Sequence, residues 1–297
     1  MVKVKSRRSG SRFIFFGFMM KKIVLLLLIC TLVLSYSFAY TPTSLDLTQI
    51  NLLKAQLDSI TTGNMKDKAD VYLQLKTLQE QFSGHEQLTY YLNDLGTHIV
   101  TQVNIEKTKV KPTTKLLKQE FFTQYSGWFS QAITTADTCM GRYNTIDTIS
   151  FANNFPTALT IAMRYRETTC GYYLPSNGDG PFQILSKDYG TGQITEAKFL
   201  QAIQDFIDFS KAKHTQYTTK LWIKLTYTGF DMTGLVYHSA LYNGATITWS
   251  ATSGYVAFPN NPKYVYDGYG SEYSGATRYG IIPKFLKVLD WEIQTQY

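Results

Sequence analysis

Cysteine and histidine are scarce in this chain of 297 residues, at three and four. His85 and His98 stand in a helical stretch with no partner at metal-ligand spacing, so no metal centre is expected there, and no motif calls for a cofactor. An excess of charge is also missing once the N-terminus is set aside. The formal charge of +7 comes from Lys3, Lys5, Arg7, Arg8, Arg12, Lys21 and Lys22, a leader that holds no acid. Taking those seven from the 29 basic residues leaves 22, against 22 acidic ones. Both halves balance separately and no basic stripe tracks phosphates, which excludes nucleic acid as a partner.

What the leader does contain is an address. Its basic residues precede an almost unbroken apolar run from Ile23 to Leu34, and Ser37-Phe38-Ala39 supplies the small residues a signal peptidase reads. Residues 1–39 are therefore expected to be a signal peptide cleaved after Ala39, with the protein secreted or held in the cell envelope. Met20 is an alternative start, because the segment from there onward is a complete signal by itself. An uncleaved anchor helix is the alternative to cleavage, and it is the one membrane contact expected. Cys30 falls within this segment, which leaves Cys139 and Cys170 as an even pair in an exported chain. A disulfide is the natural inference, closing a loop of about 31 residues worth roughly 3 to 4 kcal/mol in the chain-entropy view. Two unpaired buried thiols are the alternative.

The region 40–106 is helical in pattern. Ile50, Leu53, Leu57 and Ile60 repeat at helical spacing, as do Val71, Leu75, Leu78 and Phe82, and then Leu88, Leu92, Leu95, Ile99 and Val103. Gly63-Asn64 and Ser83-Gly84 punctuate them, so a helical hairpin or small bundle is expected, with a partner the sequence does not identify. Residues 107–119 hold Pro112, several threonines and lysines and no acid, and read as a linker. Residues 120–297 are ample for one core. Strong helices are expected over Thr195 to Lys213 and from about Pro283 to Trp291.

The stretch around Glu167 carries the chemistry. Pro156 suits a first helical turn with Asn153 or Asn154 as cap, and Ala158, Ile161, Ala162 and Tyr165 recur at helical spacing. Thr168 and Thr169 are β-branched and Gly171 can take a left-handed cap, so Glu167 is expected in the last turn. There the helix dipole and apolar neighbours favour the protonated acid, which a general acid requires. Gly178-Asp179-Gly180-Pro181 then forms a turn cluster before Phe182-Gln183-Ile184.

Glu167-Thr168, Gly180-Pro181-Phe182-Gln183 and Ala240-Leu241-Tyr242-Asn243-Gly244, in that order, resemble the Glu-Ser, Gly-Leu-Met-Gln and Ala-Tyr-Asn-Ala-Gly elements of the soluble lytic transglycosylases and goose-type lysozymes. Tyr264, in Pro262-Lys263-Tyr264-Val265, resembles a tyrosine-valine element of the same family. The resemblance covers roughly Asn153 to the C-terminus. It implies a mainly α protein, an α+β lysozyme-like domain preceded by the helical hairpin or bundle. It also implies cleavage of the β-1,4 bond between N-acetylmuramic acid and N-acetylglucosamine in peptidoglycan, with Glu167 as catalytic acid and base. Thr168, Gln183, Tyr242, Asn243 and Tyr264 would contact substrate. In that family one Glu suffices because the substrate's own 6-hydroxyl attacks and an anhydro sugar forms. A lysozyme with two carboxylates, drawing on Asp179 or Asp188, is the first alternative. A lysozyme-like module that grips peptidoglycan without cutting it is the second, and a scaffold built on the helical seam is the third. Nine tyrosines from Tyr227 to Tyr279, with Trp249 and Phe258, can stack on sugars or cover a core poor in regular structure.

Overall fold

A computed structural model describes residues 47–48, 50–52, 55, 64–126, 139–171, 173–174, 177–184, 187–221, 224–242, 248–249, 256–257 and 281–297. The expected signal segment, Asn243 and Tyr264 lie outside these residues. No helix among the described residues is long and apolar enough to cross a membrane.

The protein is mainly helical. Helices α1 (Met65–Gln81), α2 (Glu86–Tyr125), α3 (Tyr143–Ala152) and α4 (Thr157–Thr168) come first, and α5 (Glu196–Leu221), α6 (Met232–Tyr242) and α7 (Ile281–Thr295) follow. Among the described residues, three two-stranded antiparallel ladders are interspersed. Strand β1 (Tyr173–Leu174) pairs with β2 (Gly192–Gln193), β3 (Leu225–Thr226) with β4 (Gly229–Phe230), and β5 (Thr248–Trp249) with β6 (Val256–Ala257).

Helices α1 and α2 follow from their periodicity. Val71, Leu75, Leu78, Leu88, Leu92, Ile99 and Val103 are all buried along the seam between them. Asn64 caps α1 by accepting from the Asp67 amide, and His85 Nδ1 accepts from the Leu88 amide at the start of α2. The other face of α1 sends Ala69 and Leu73 into the main core with α3, α4, α5, α6 and α7. Glu80 Oε1 accepts from the Ala197 amide at 2.6 Å, so α1 also fixes the start of α5.

Residues 107–119 are not a linker but part of α2, a single helix of 40 residues with Pro112 inside it. An interior proline costs a helix about 3 kcal/mol. Contacts with distant segments offset this. Thr114 and Lys118 are buried, and Phe121 packs edge-on against Phe230 and Phe285. The missing acids come from elsewhere in the chain: Lys107 pairs with Asp147 of α3, and Lys118 Nζ donates to Glu292 Oε2 of α7 at 2.7 Å. Tyr143 donates to the other oxygen of Glu292 at 3.0 Å. Burial opposes the charge on Lys118, yet Glu292 and Tyr297 together hold its pKa above the ordinary lysine value.

Lys118→Met should therefore cost about 3 to 5 kcal/mol, because it strands a carboxylate that is fully buried. The double change Lys118→Met with Glu292→Leu should recover most of that loss. Urea unfolding decides the matter, and a double variant as unstable as the single one would contradict this account of α2.

Candidate functional site

Helix α4 positions Glu167, and it is enclosed. Every residue from Thr157 to Arg164 is buried. Its start differs from the sequence expectation, since Pro156 itself is the N-cap and no side chain caps the helix. The Asn153 amide instead donates to Ile149 O and to Gln204 Oε1, while Asn154 Oδ1 accepts from the Tyr227 amide. Both asparagines hold neighbouring elements together.

The helix ends where expected but by another device. Thr169 and Cys170 take the left-handed conformation, at φ 55° and 59°, in place of Gly171. Arg164, buried with its guanidinium 4.6 Å from the Phe199 ring, donates from Nη2 to Cys170 O at 3.1 Å. The bridge between Cys139 and Cys170 is formed, with Cα atoms 5.2 Å apart. Backbone strain at two non-glycine residues is thus held by a covalent tie and a buried arginine.

Glu167 lies in the last turn, with its side chain 19% exposed. Its Oε1 stands 3.7 Å from Arg166 Nε, and Arg166 Nη1 donates to Ser239 Oγ of α6 at 3.0 Å. Lys284, from the first turn of α7, belongs to the same cluster. Burial first, then Arg166, push its pKa down to about 7, with Glu167 opposing them. Tyr242 completes it, its hydroxyl pKa raised by burial and then by the charge of Glu167. The apolar surroundings expected from Ile161 and Tyr165 are therefore incomplete. Arg166, and Lys284 when protonated, place positive charge near the carboxylate and oppose the negative potential of the helix end.

The turn that follows α4 packs against this end. Thr168 Oγ1 lies within hydrogen-bonding reach of Pro181 O, at 3.0 Å, and of Arg164 O, at 3.1 Å. Gly180 has φ 73°, and a Cβ there would fall 2.2 Å from the Tyr189 ring, so only glycine fits. Phe182 stacks on Phe206 with ring centres 4.6 Å apart. Tyr242 donates to Phe182 O, which ties the end of α6 to the turn. Gln183 sits at φ 54°, donates from Nε2 to Gly180 O at 2.8 Å and accepts from Asn177 Nδ2 at 2.7 Å. Its amide and the Thr168 hydroxyl are thus engaged in building the turn. Asp188 Oδ1 accepts from the Gly190 amide at 2.8 Å, and Asp179 O accepts from the Ile184 amide.

Glu167, Thr168, Gln183 and Tyr242, drawn from three separated motifs, are linked through this turn. Among the described residues, no three His, Cys, Asp or Glu side chains gather as a metal site. Compared with protein-family models, with curated proteins and with solved structures, the chain gives no match. Sequence reasoning missed Arg166, Ser239 and Lys284. The signal for Lys284 was a single lysine among Ile281, Ile282, Phe285 and Leu286, where an apolar face leaves it little water.

Unfolded, Lys284 titrates at its ordinary value of 10.5, so from about pH 7 upward the unfolded chain holds this proton more tightly than the folded protein. Its burial penalty therefore fades as pH rises. Lys284→Met should be stabilising near pH 7, and that advantage should shrink toward pH 9. Thermal melts across this window check it, and a variant whose stability runs parallel to the wild type at every pH would contradict the buried-cation account.

Proposed function

We propose that the protein is an exported enzyme of the lysozyme-like superfamily that cleaves the glycan strands of peptidoglycan as a lytic transglycosylase, with Glu167 as its acid and base. One observation carries the reading. Motifs separated by as many as 75 residues in sequence, from Glu167 to Tyr242, meet around a partly exposed carboxylate at the end of a buried helix. A carboxylate there can give a proton to the glycosidic oxygen as the bond to the anomeric carbon breaks. It can then take one from the sugar's 6-hydroxyl as that oxygen closes the anhydro ring.

The proposed reaction needs a single carboxylate, and Asp188, one of the two candidates for a second, is committed elsewhere. Asp188 is exposed and its oxygen is bonded to the turn at Gly190. Gln183 and Thr168 act in this reading by fixing the turn, and the turn fixes Tyr242 beside Glu167. Asn243 and Tyr264 keep the substrate contacts that the family resemblance gives them. Arg166 and Lys284 lie beside the acid.

Glu167→Gln preserves size and removes the transferable proton, so release of soluble fragments from purified sacculi should fall at least about a hundredfold. Asp179→Asn and Asp188→Asn should both remain active. Pelleting with sacculi should persist in Glu167→Gln. A Glu167→Gln protein that clears sacculi at the wild-type rate would remove the assignment, and a wild type that pellets but releases nothing would favour a binding module.

A further inference from the structure

A cavity that stands apart from Glu167 lies against the distal half of α2. It measures about 240 Å³ and is walled by α2, α3, the β3–β4 turn and the last two residues of the chain. A water occupies about 30 Å³ of liquid, so the space suits about eight waters or a ligand of about as many non-hydrogen atoms. Its wall includes Asp147, which accepts at 2.6 Å from Thr157 Oγ1, the first residue of α4. Glu167 stands ten residues further along that helix, about 15 Å away at the usual rise. The two places are therefore distinct.

Charge and shape define what would fit. Asp147 is the only carboxylate side chain in the wall, and it is fully engaged by Thr157, by Tyr227 and by Lys107. Behind it, Lys118 and Glu292 cancel each other, and Tyr297 O accepts from Lys115 Nζ at 3.2 Å. Lys111 is left over. It is exposed, makes no ion pair among the described residues, and its Nζ lies 5.6 Å from the centre of the Tyr297 ring. Lys107, Lys111 and Lys115 thus stand against two negative groups, Asp147 and the main-chain carboxylate of Tyr297, which leaves one positive charge in excess. Its tyrosines offer ring surface more than hydroxyls, because Tyr143 donates to Glu292 and Tyr227 donates to Asp147. Burial raises both hydroxyl pKa values and keeps them as donors. The side-chain amides of Asn104 and Gln296 complete the wall and can bond polar substituents.

We propose that this cavity binds a small organic monoanion, with its carboxylate on Lys111 and a flat or apolar body against Tyr227, Tyr143 and Tyr297. The pairing of a single surplus ammonium with aromatic faces selects such a ligand over a neutral ring and over an inorganic anion. Binding should weaken as salt rises, since Lys111 is solvent-exposed. The site is independent of the glycan-cleaving reading and does not involve Glu167.

Titration calorimetry of the purified protein at low ionic strength tests this with benzoate as the probe. Benzyl alcohol supplies the ring without the charge, and inorganic phosphate the charge without the ring. Benzoate should bind at least about tenfold more tightly than either, a difference of about 1.4 kcal/mol. Lys111→Met keeps the alkyl stem and an unchanged melting temperature, and should lose at least tenfold in benzoate affinity. Glu167→Gln should bind benzoate as the wild type does, which keeps this result separate from the fate of the catalytic reading. The proposal is overturned if benzoate does not bind at millimolar concentration, if benzyl alcohol or phosphate binds as tightly, or if Lys111→Met binds benzoate like the wild type.

Discussion

Enclosure of α4 on all sides is the constraint on which the rest of the site depends. From Thr157 to Arg164 every residue of this helix is buried, so its only partly exposed turn is the last, Tyr165 to Thr168. A buried helix cannot rotate or slide without breaking its core contacts, because interiors are packed to crystal density. Glu167 is therefore fixed by the packing of Leu159, Ile161, Ala162 and Met163, none of which touches any chemistry. The chain beyond the helix is fixed as firmly, by Arg164 beneath it and by the disulfide at Cys170.

A second device is the pairing of α2 lysines with acids far along the chain. Lys118 and Glu292 are 174 residues apart in sequence, and their bond joins the first long helix to the last. Buried ion pairs of this kind add little net stability against an apolar substitute, but they penalise any arrangement that leaves one partner alone. They specify where α2 lies and hold α7 beside α4. The position of α7 matters for the site, because it brings Lys284 of its first turn near Glu167 and Arg166.

Elements with a strong apolar period are legible in the sequence. The seam of α1 and α2, the core face of α5 and the last turn of α4 all follow from spacing, and the cysteine pairing follows from elimination. The failures have a common cause, namely that the deciding partner lies far away in sequence. Residues 107–119 resemble a solvated linker because their acids, Asp147 and Glu292, are supplied by other helices. Gly171 has the character of a cap, but Arg164 and Cys139 hold Thr169 and Cys170 in that conformation instead. Arg166 and Lys284 gather at Glu167 only through tertiary packing, which no local window contains. Tyrosine is similarly ambiguous. Tyr227 serves a buried charge network and Tyr242 ties α6 to a turn, so neither hydroxyl is free in the way an exposed sugar-binding tyrosine would be.

In the proposed function one carboxylate acts without a second. The distinguishing consequence is the chemistry of the product, since ring closure by the 6-hydroxyl and attack by water leave different ends on the muramic acid. Mass spectrometry of the soluble fragments released from purified sacculi by the wild-type protein reads that end directly. Fragments ending in 1,6-anhydro muramic acid, lighter by one water than the hydrolysed form, are the expected result, and fragments with reducing muramic ends would contradict the single-carboxylate mechanism.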